Sequence, residues 1–157
     1  MRRFALLLLP VLLAGFLTAC GGASGSTTSS DVKVSGSYGS KPKVTVTKGA
    51  KPAKKLEVDV LEKGDGPKVA KGDLLVADYL GKVFKSGKVF DNSYDRKVPA
   101  SVPIGVGGVI PGWDKALVGV KAGSRVLMVV PPKDGYGKTG NPQAGIRAPT
   151  RSFSWST

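Results

Sequence analysis

The sequence predicts an α+β fold in which a curved antiparallel β-sheet wraps over one short α-helix. The 157 residues include 22 glycines and 11 prolines, a composition that favours strands and turns over long helices. The apolar residues form several short runs typical of strands, and one segment has helical periodicity. The length fits one ordinary domain plus additional chain.

The first twenty residues have the pattern of a bacterial lipoprotein signal. Arg2 and Arg3 precede the apolar run Phe4 to Phe16, which is short for about 30 Å of hydrocarbon and typical of a secretory signal peptide. The following Leu-Thr-Ala-Cys, residues 17–20, resembles the lipobox, in which the cysteine is acylated and becomes the mature N-terminus. We therefore expect residues 1–19 to be a signal peptide and Cys20 to hold the protein, through lipid, on the extracytoplasmic face of the cell membrane.

The segment after Cys20 predicts a tether. Residues 21–30 read GGASGSTTSS and have no large apolar side chain to offset the entropy lost on ordering. Residues 31–55 mix valines with prolines and lysines and suggest an extended arm. We expect residues 20–42 to be a flexible linker and residues 43–157 to be the folded domain.

Within this domain, one strand alternates, one is strongly apolar, and a single helix has a one-sided stripe. The predicted strands span residues 56–61, 74–80, 89–90 and 125–130. Trp113, Ala116, Leu117 and Val120 fall at i, i+3, i+4 and i+7, which indicates a helix with one apolar face. Such a helix packs across a sheet to bury that face.

Charge and composition limit the chemistry. The 24 basic residues exceed the 11 acidic ones and give a net charge of +13, but the lysines are scattered among Pro and Gly instead of forming an aromatic-interleaved patch. We therefore expect the protein to work beside anionic lipid or cell-wall polymer and to have no nucleic-acid partner. The chain has no histidine, which excludes Ser-His-Asp and Cys-His catalysis and His-containing metal sites.

Three motifs occur together in a specific order and spacing. The first is Tyr-Leu-Gly at 79–81 with Gly-Lys-Val-Phe-Asp at 87–91, the second Val-Ile-Pro-Gly-Trp at 109–113, and the third Gly-Tyr-Gly at 135–137. In this combination the region from about residue 54 to residue 146 resembles the FKBP-type peptidyl-prolyl isomerases, the immunophilins that bind rapamycin. The resemblance implies an FKBP-like fold, isomerisation of X-Pro bonds without metal or other cofactor, and proline-containing polypeptides as substrates.

The resemblance also implies a set of site residues. Trp113 would form the floor of a pocket for the substrate proline, with Tyr79, Phe90, Val109 and Ile146 as walls. The amide of Ile110 and the hydroxyl of Tyr136 would bind substrate carbonyls, while Asp91 would lie at the pocket edge beside Arg96. We expect Asp91, Tyr136, Phe90 and Trp113 to carry catalysis and the others to bind substrate. Taken singly, Trp113 and Phe90 are more typical of a protein core than of a ligand site, and Asp91 fits a turn or a cap.

The resulting interpretation is a monomeric, lipid-anchored isomerase that assists the folding of exported proteins at the membrane surface. Macrolide inhibitors are candidate ligands, whose binding the sequence does not decide. Two alternatives remain open: a chaperone module that binds proline segments without turnover, and a lipoprotein that binds surface polymer through its basic arm. An isomerisation assay separates the isomerase from the chaperone module. Reduced polymer binding after deletion of residues 31–55 would support the polymer-binding lipoprotein.

The C-terminal segment departs from the family pattern. Residues 147–157 lack the apolar alternation that a closing strand requires, and an unclosed sheet leaves a bare edge. We expect the closing strand to be missing or altered after residue 147 and Trp155 to be exposed. A shifted reading frame from Thr150 onward would account for the break, and resequencing the gene tests it.

Overall fold

The computed structural model describes residues 27–29, 31–51, 53–147 and 152–155. The strands in this part of the chain are β1 (Thr27–Ser29), β2 (Val32–Ser35), β3 (Lys43–Val46), β4 (Glu57–Glu62), β5 (Leu74–Ala77), β6 (Tyr79–Val83), β7 (Val89–Asn92), β8 (Ala100–Pro103), β9 (Arg125–Val130), β10 (Gly140–Asn141), β11 (Ile146–Arg147) and β12 (Ser152–Trp155). The helix α1 spans Pro111–Leu117, and a 3-10 turn spans Pro132–Asp134. No helix among these residues combines the length and apolar character needed to cross a membrane.

The main sheet has five antiparallel strands in the order β4-β9-β12-β6-β7. All six residues of β9 are buried, because alternate side chains of a strand point to opposite faces and both faces of β9 are covered. Val126, Met128 and Val130 belong to the core cluster under α1, while Leu127 and Val129 belong to a second cluster on the other face. The predicted α+β fold is confirmed.

The apolar stripe of α1 packs onto the first of these clusters. Ala116 and Leu117 are buried there, and Trp113 packs against it from the edge. Val120, predicted as the fourth position of the stripe, lies beyond the end of the helix at Leu117 but packs against the same cluster. Pro111 occupies the first turn, where its missing N–H costs no helical hydrogen bond. A Cβ atom on Gly112 would lie 2.7 Å from Cγ1 of Val130, so glycine allows the helix to approach the sheet closely.

A second layer covers the other face of the main sheet. β1, β2 and β3 form a three-stranded antiparallel sheet in that order, and Val32, Val34 and Val44 are buried with Leu80 and Phe84 in the second cluster. The expected flexible linker therefore differs from the structure between residues 31 and 42, because burial of these valines offsets the entropy of ordering the segment. Residues 1–26, which include the predicted signal peptide and Cys20, lie outside the described residues.

One buried arginine joins the two layers. The Arg125 side chain is 2% exposed, and its guanidinium donates to the carbonyl oxygens of Gly36 (2.8 Å), Ser37 (2.7 Å) and Ser40 (3.2 Å). It also pairs with Glu62 at 3.2 Å. The planar group thus satisfies several carbonyls of the loop between β2 and β3 at once, as guanidinium geometry permits.

Three strand predictions need correction. The segment predicted as one strand over 74–80 is two, β5 and β6, separated at Asp78. The alternation over 56–61 does not mark a buried face, since Val58 and Val60 are 38% and 48% exposed on β4, an outer strand of the main sheet. β8 was not predicted at all.

The closing strand is present. β12 lies between β9 and β6, with Ser152 opposite both Val130 and Val83, so the expectation of a missing strand is wrong for the backbone. The hydrogen bonds of a sheet are made by main-chain groups that every residue except proline supplies, and weak side-chain alternation did not prevent pairing. The predicted exposure of Trp155 concerns a side chain outside the described part of the structure, and the shifted reading frame stays a prediction.

Candidate active site

A cleft of about 420 Å³ opens between α1 and the main sheet. Its lining is mostly aromatic and aliphatic, with few polar groups, which is the usual character of a small-ligand site. The lining residues are Tyr79, Gly81, Phe90, Asp91, Gly108, Val109, Ile110, Trp113, Met128, Val130 and Tyr136.

The first turn of α1 places Trp113 in this cleft. Its indole meets the ring of Tyr79 edge to face, with ring centroids 5.7 Å apart and an interplanar angle of 73°, a favoured geometry for aromatic pairs. The side chain is half-buried and packs at the margin of the core cluster instead of inside it. Trp113 therefore has one surface fixed by packing and another open to a ligand.

A β-bulge presents Phe90 to the same cleft. Gly81 pairs with Asp91, but Lys82 pairs with Val89, so Phe90 is the additional residue on β7. Bulges re-aim side chains and occur beside active sites. The Phe90 ring lies over Gly81 and meets the ring of Tyr136 edge to face at 6.4 Å.

Replacing Gly81 by alanine is expected to damage the cleft. The added Cβ would lie 2.5 Å from Cζ and 2.8 Å from Cε2 of Phe90, so the ring must move or the strand must shift, at a cost of about 1–3 kcal/mol. We expect weaker ligand binding in the cleft and a lower midpoint of unfolding. Binding at the wild-type level, with Phe90 unmoved in a structure of the variant, would contradict this.

The polar edge of the cleft is a network of three side chains. The Tyr79 hydroxyl donates to the Asp91 carboxylate, and Arg96 donates to the carboxylate through Nη1 and to the Tyr79 oxygen through Nη2 at 2.7 Å. Burial alone would raise the pKa of Asp91, but the hydrogen bonds from Tyr79 and Arg96 and the charge of Arg96 outweigh it and hold the pKa below the ordinary value of a carboxyl group. Asp91 is therefore ionised at neutral pH.

Tyr79 and Tyr136 stay protonated at neutral pH. Burial, and then the hydrogen bond to Asp91, raises the pKa of Tyr79; burial, and then the negative charge of Asp91, raises that of Tyr136. Tyr136 follows the 3-10 turn, whose Asp134 is 4% exposed and pairs with Lys115 of α1 at 2.5 Å. The Tyr136 hydroxyl thus remains a hydrogen-bond donor on a loop anchored to the helix.

The loop between β8 and α1 completes the wall. The Asp114 carboxylate accepts hydrogen bonds from the amides of Gly105 (2.6 Å) and Gly107 (2.7 Å), which fixes the loop that carries Val109 and Ile110 into the cleft. Among the described residues, the Ile110 N–H has no hydrogen-bond acceptor. It is therefore available to a ligand.

The structure brings most of the predicted residues together. Asp91, Tyr136, Phe90, Trp113, Tyr79, Val109 and Ile110 line the cleft, and Arg96 contacts it through Asp91 and Tyr79. Ile146 is not among the residues that line the cleft; it is 0% exposed and lies on β11, which pairs with β10. Its role as a wall of the pocket stays a prediction.

Sequence reasoning missed four lining residues, Gly81, Gly108, Met128 and Val130. The two-residue alternation of β9 was the available signal for Met128 and Val130, since both share a face with Val126. Gly81 belongs to the first motif but had no predicted role, and nothing in the sequence marked Gly108; the contribution of both glycines is space. Among the described residues, no group of three or more His, Cys, Asp or Glu side chains comes together to hold a metal ion.

Comparison with known proteins points to the same family as the three sequence motifs. The family described as FKBP-type peptidyl-prolyl cis-trans isomerase matches residues 66–151. The chain is 39% identical over 111 residues to FK506-binding protein 2 of Dictyostelium discoideum, covering 69% of this chain and 80% of the relative. It is 37% identical over 100 residues to the FK506-binding protein of Streptomyces anulatus, covering 64% and 80% respectively.

A solved structure gives the same result for the fold. The crystal structure of AtFKBP13 superimposes with a TM-score of 0.57 at 35% sequence identity, covering 62% of this chain and 86% of the other.

Proposed function

This chain belongs to the family of FKBP-type peptidyl-prolyl cis-trans isomerases, and from that premise we propose that it isomerises X-Pro bonds of exported proteins at a membrane surface. The observation that carries the proposal is the cleft itself, with Trp113 and three further aromatic rings around a small apolar space. Isomerisation breaks no covalent bond, so it needs no nucleophile and no metal.

An apolar cleft suits this reaction for a physical reason. Rotation about an amide costs about 18–20 kcal/mol, because resonance between carbonyl and nitrogen holds the bond planar. The twisted imide has lost that resonance and its charge separation, so it is less polar than the planar form. A water-excluding cleft therefore binds the twisted form better than the planar one, which is the condition for catalysis.

The polar groups at the edge are proposed to orient the substrate. The Ile110 amide, which has no acceptor among the described residues, and the protonated Tyr136 hydroxyl are donors for two substrate carbonyls. Asp91, ionised and held by Tyr79 and Arg96, supplies a fixed negative charge for the positive end of the imide carbonyl dipole. Such preorganised groups hold the substrate in one orientation without reorganising during the reaction.

A prolyl-tetrapeptide isomerisation assay with the full chain tests the proposal. We expect catalysis by the wild type and a loss of about 10–100-fold when Asp91→Ala and Tyr136→Phe are combined, with little change in the midpoint of unfolding. FK506 is expected to inhibit, since the named relatives bind it. Binding of proline peptides without catalysis would favour the chaperone alternative, and wild-type rates in the double variant would show that the polar edge is misassigned.

We further propose that the protein is a monomer attached by lipid at Cys20, since the cleft is complete within one chain and residues 17–20 resemble a lipobox. Cys20→Ser is expected to release the protein from membranes or block its maturation. Fractionation of bacterial cells, with intact-mass measurement of the N-terminal peptide, checks this. A correctly cleaved Cys20→Ser protein that still sediments with membranes would contradict it.

A further inference from the structure

A second cavity, called the groove below, lies on the other side of β6 from the candidate active site between α1 and the main sheet, which is called the proline cleft below. It has a volume of about 1350 Å³ and runs between residues 43–50, which are β3 with its following turn, and residues 82–88 of the β6–β7 hairpin. Gly81 lines the proline cleft and Lys82 lines this groove. Consecutive residues of a strand point to opposite faces, so the two sites are separate.

The groove is basic. In the part of the chain that the structure describes, its lining contains no acidic residue and five lysines: Lys43, Lys48, Lys82, Lys85 and Lys88. Four of the five are exposed, and Lys82 is half-buried. The ion pairs found among the described residues use other side chains, so these ammonium groups have no carboxylate partner there.

One wall of the groove is the free edge of β3. The Thr47 N–H donates to the carbonyl oxygen of Asp31, while Lys33 lies opposite Thr45 and Val34 opposite Val44. In an antiparallel ladder with this register, the main-chain groups of Thr45 point toward β2. Those of Val44 and Val46 point away from it. The only partner of these outward groups among the described residues is Lys82, whose Nζ donates to Val44 O at 2.6 Å.

We propose that this groove binds an acidic, extended polypeptide segment, which adds as a strand to the free edge of β3 while its carboxylates meet the lysines. An unpaired strand edge is completed by another polypeptide backbone, which neither a lipid headgroup nor a polyphosphate supplies. The charge complementarity selects an acidic segment and disfavours a second copy of this chain, whose net charge is +13. The site goes beyond the isomerase function and needs no proline.

Fluorescence anisotropy with the full chain tests the charge requirement. The probe is a labelled, proline-free peptide of about eight residues, the length of a typical strand, in which Glu and Thr alternate. The groove variant carries Lys48→Glu, Lys85→Glu and Lys88→Glu; the matched control carries Lys54→Glu, Lys55→Glu and Lys63→Glu, three exposed lysines outside the groove. We expect about tenfold weaker binding in the groove variant than in the control, with unchanged prolyl isomerisation in both.

N-methylation of alternate peptide amides tests strand addition. Methyl groups on one alternate set of amides should weaken binding, and methyl groups on the other set should not, because an added strand turns only half of its amides toward its neighbour. Equal binding by the groove variant and the control overturns the proposal, as does equal binding of both methylated peptides. Groove-dependent binding of inorganic polyphosphate without binding of the peptide also overturns it, in favour of an anionic-polymer site.

Discussion

Replacing Arg125 by methionine is expected to lower the free energy of unfolding by about 2–4 kcal/mol. The guanidinium is buried and donates to three carbonyl oxygens of the loop at residues 36–40, and hydrogen bonds from a charged donor contribute more than neutral ones. Methionine fills part of the space but leaves these acceptors without a donor. Urea denaturation monitored by circular dichroism measures the loss.

Two variants separate this role from a general effect of charge. Arg125→Lys keeps the charge but not the planar fork, so it should lose most of the stabilisation that Arg125 contributes. Lys41→Ala removes the exposed pair with Asp95, 2.6 Å long, and should cost at most about 1 kcal/mol. Faster hydrogen exchange at β2 in Arg125→Met would show that the N-terminal sheet has loosened. A methionine variant as stable as the wild type would contradict the joining role of Arg125.

Replacing Trp113 by alanine is expected to reduce kcat/KM for prolyl isomerisation by about a hundredfold. Tryptophan has the largest side chain among the residues that line the cleft, and loss of such an aromatic anchor typically costs about 2–4 kcal/mol of binding, a range that includes a hundredfold loss at about 1.4 kcal/mol per tenfold. Because the side chain is only half-buried, the loss in folding stability should be smaller than the 3–5 kcal/mol typical of a fully buried tryptophan.

A neighbour on the same helix supplies the matched control. Leu117 is 1% exposed, belongs to the core and does not line the cleft. Leu117→Ala should cost about 2–5 kcal/mol of stability and leave kcat/KM of the folded protein near the wild-type value. The opposite pattern, in which Trp113→Ala loses stability but keeps its activity, would contradict the role of Trp113 as the floor of the cleft.

The sequence predicted the elements whose pattern is local. The spacing of Trp113, Ala116 and Leu117 predicted α1, and the apolar run from Arg125 to Val130 predicted β9 with its correct bounds. The motif order placed seven cleft residues, because each motif fixes one element of a known fold and the fold brings them together. Ile146 is not among the residues that line the cleft; its position depends on the pairing of β10 with β11, which no local pattern specifies.

By itself, then, the sequence determined the α+β class, the helix, the central strand and the family, because periodicity and motif order are written along the chain. The tertiary structure alone decided the ordering of residues 31–42, the pairing of β12 and the bulge that aims Phe90 over Gly81. Each depends on distant partners: Val32 is buried only because Leu80 and Leu127 are there, and β12 pairs through its backbone with β9 and β6. Interactions across such sequence separations compensate for weak local propensity, so local pattern could not predict them.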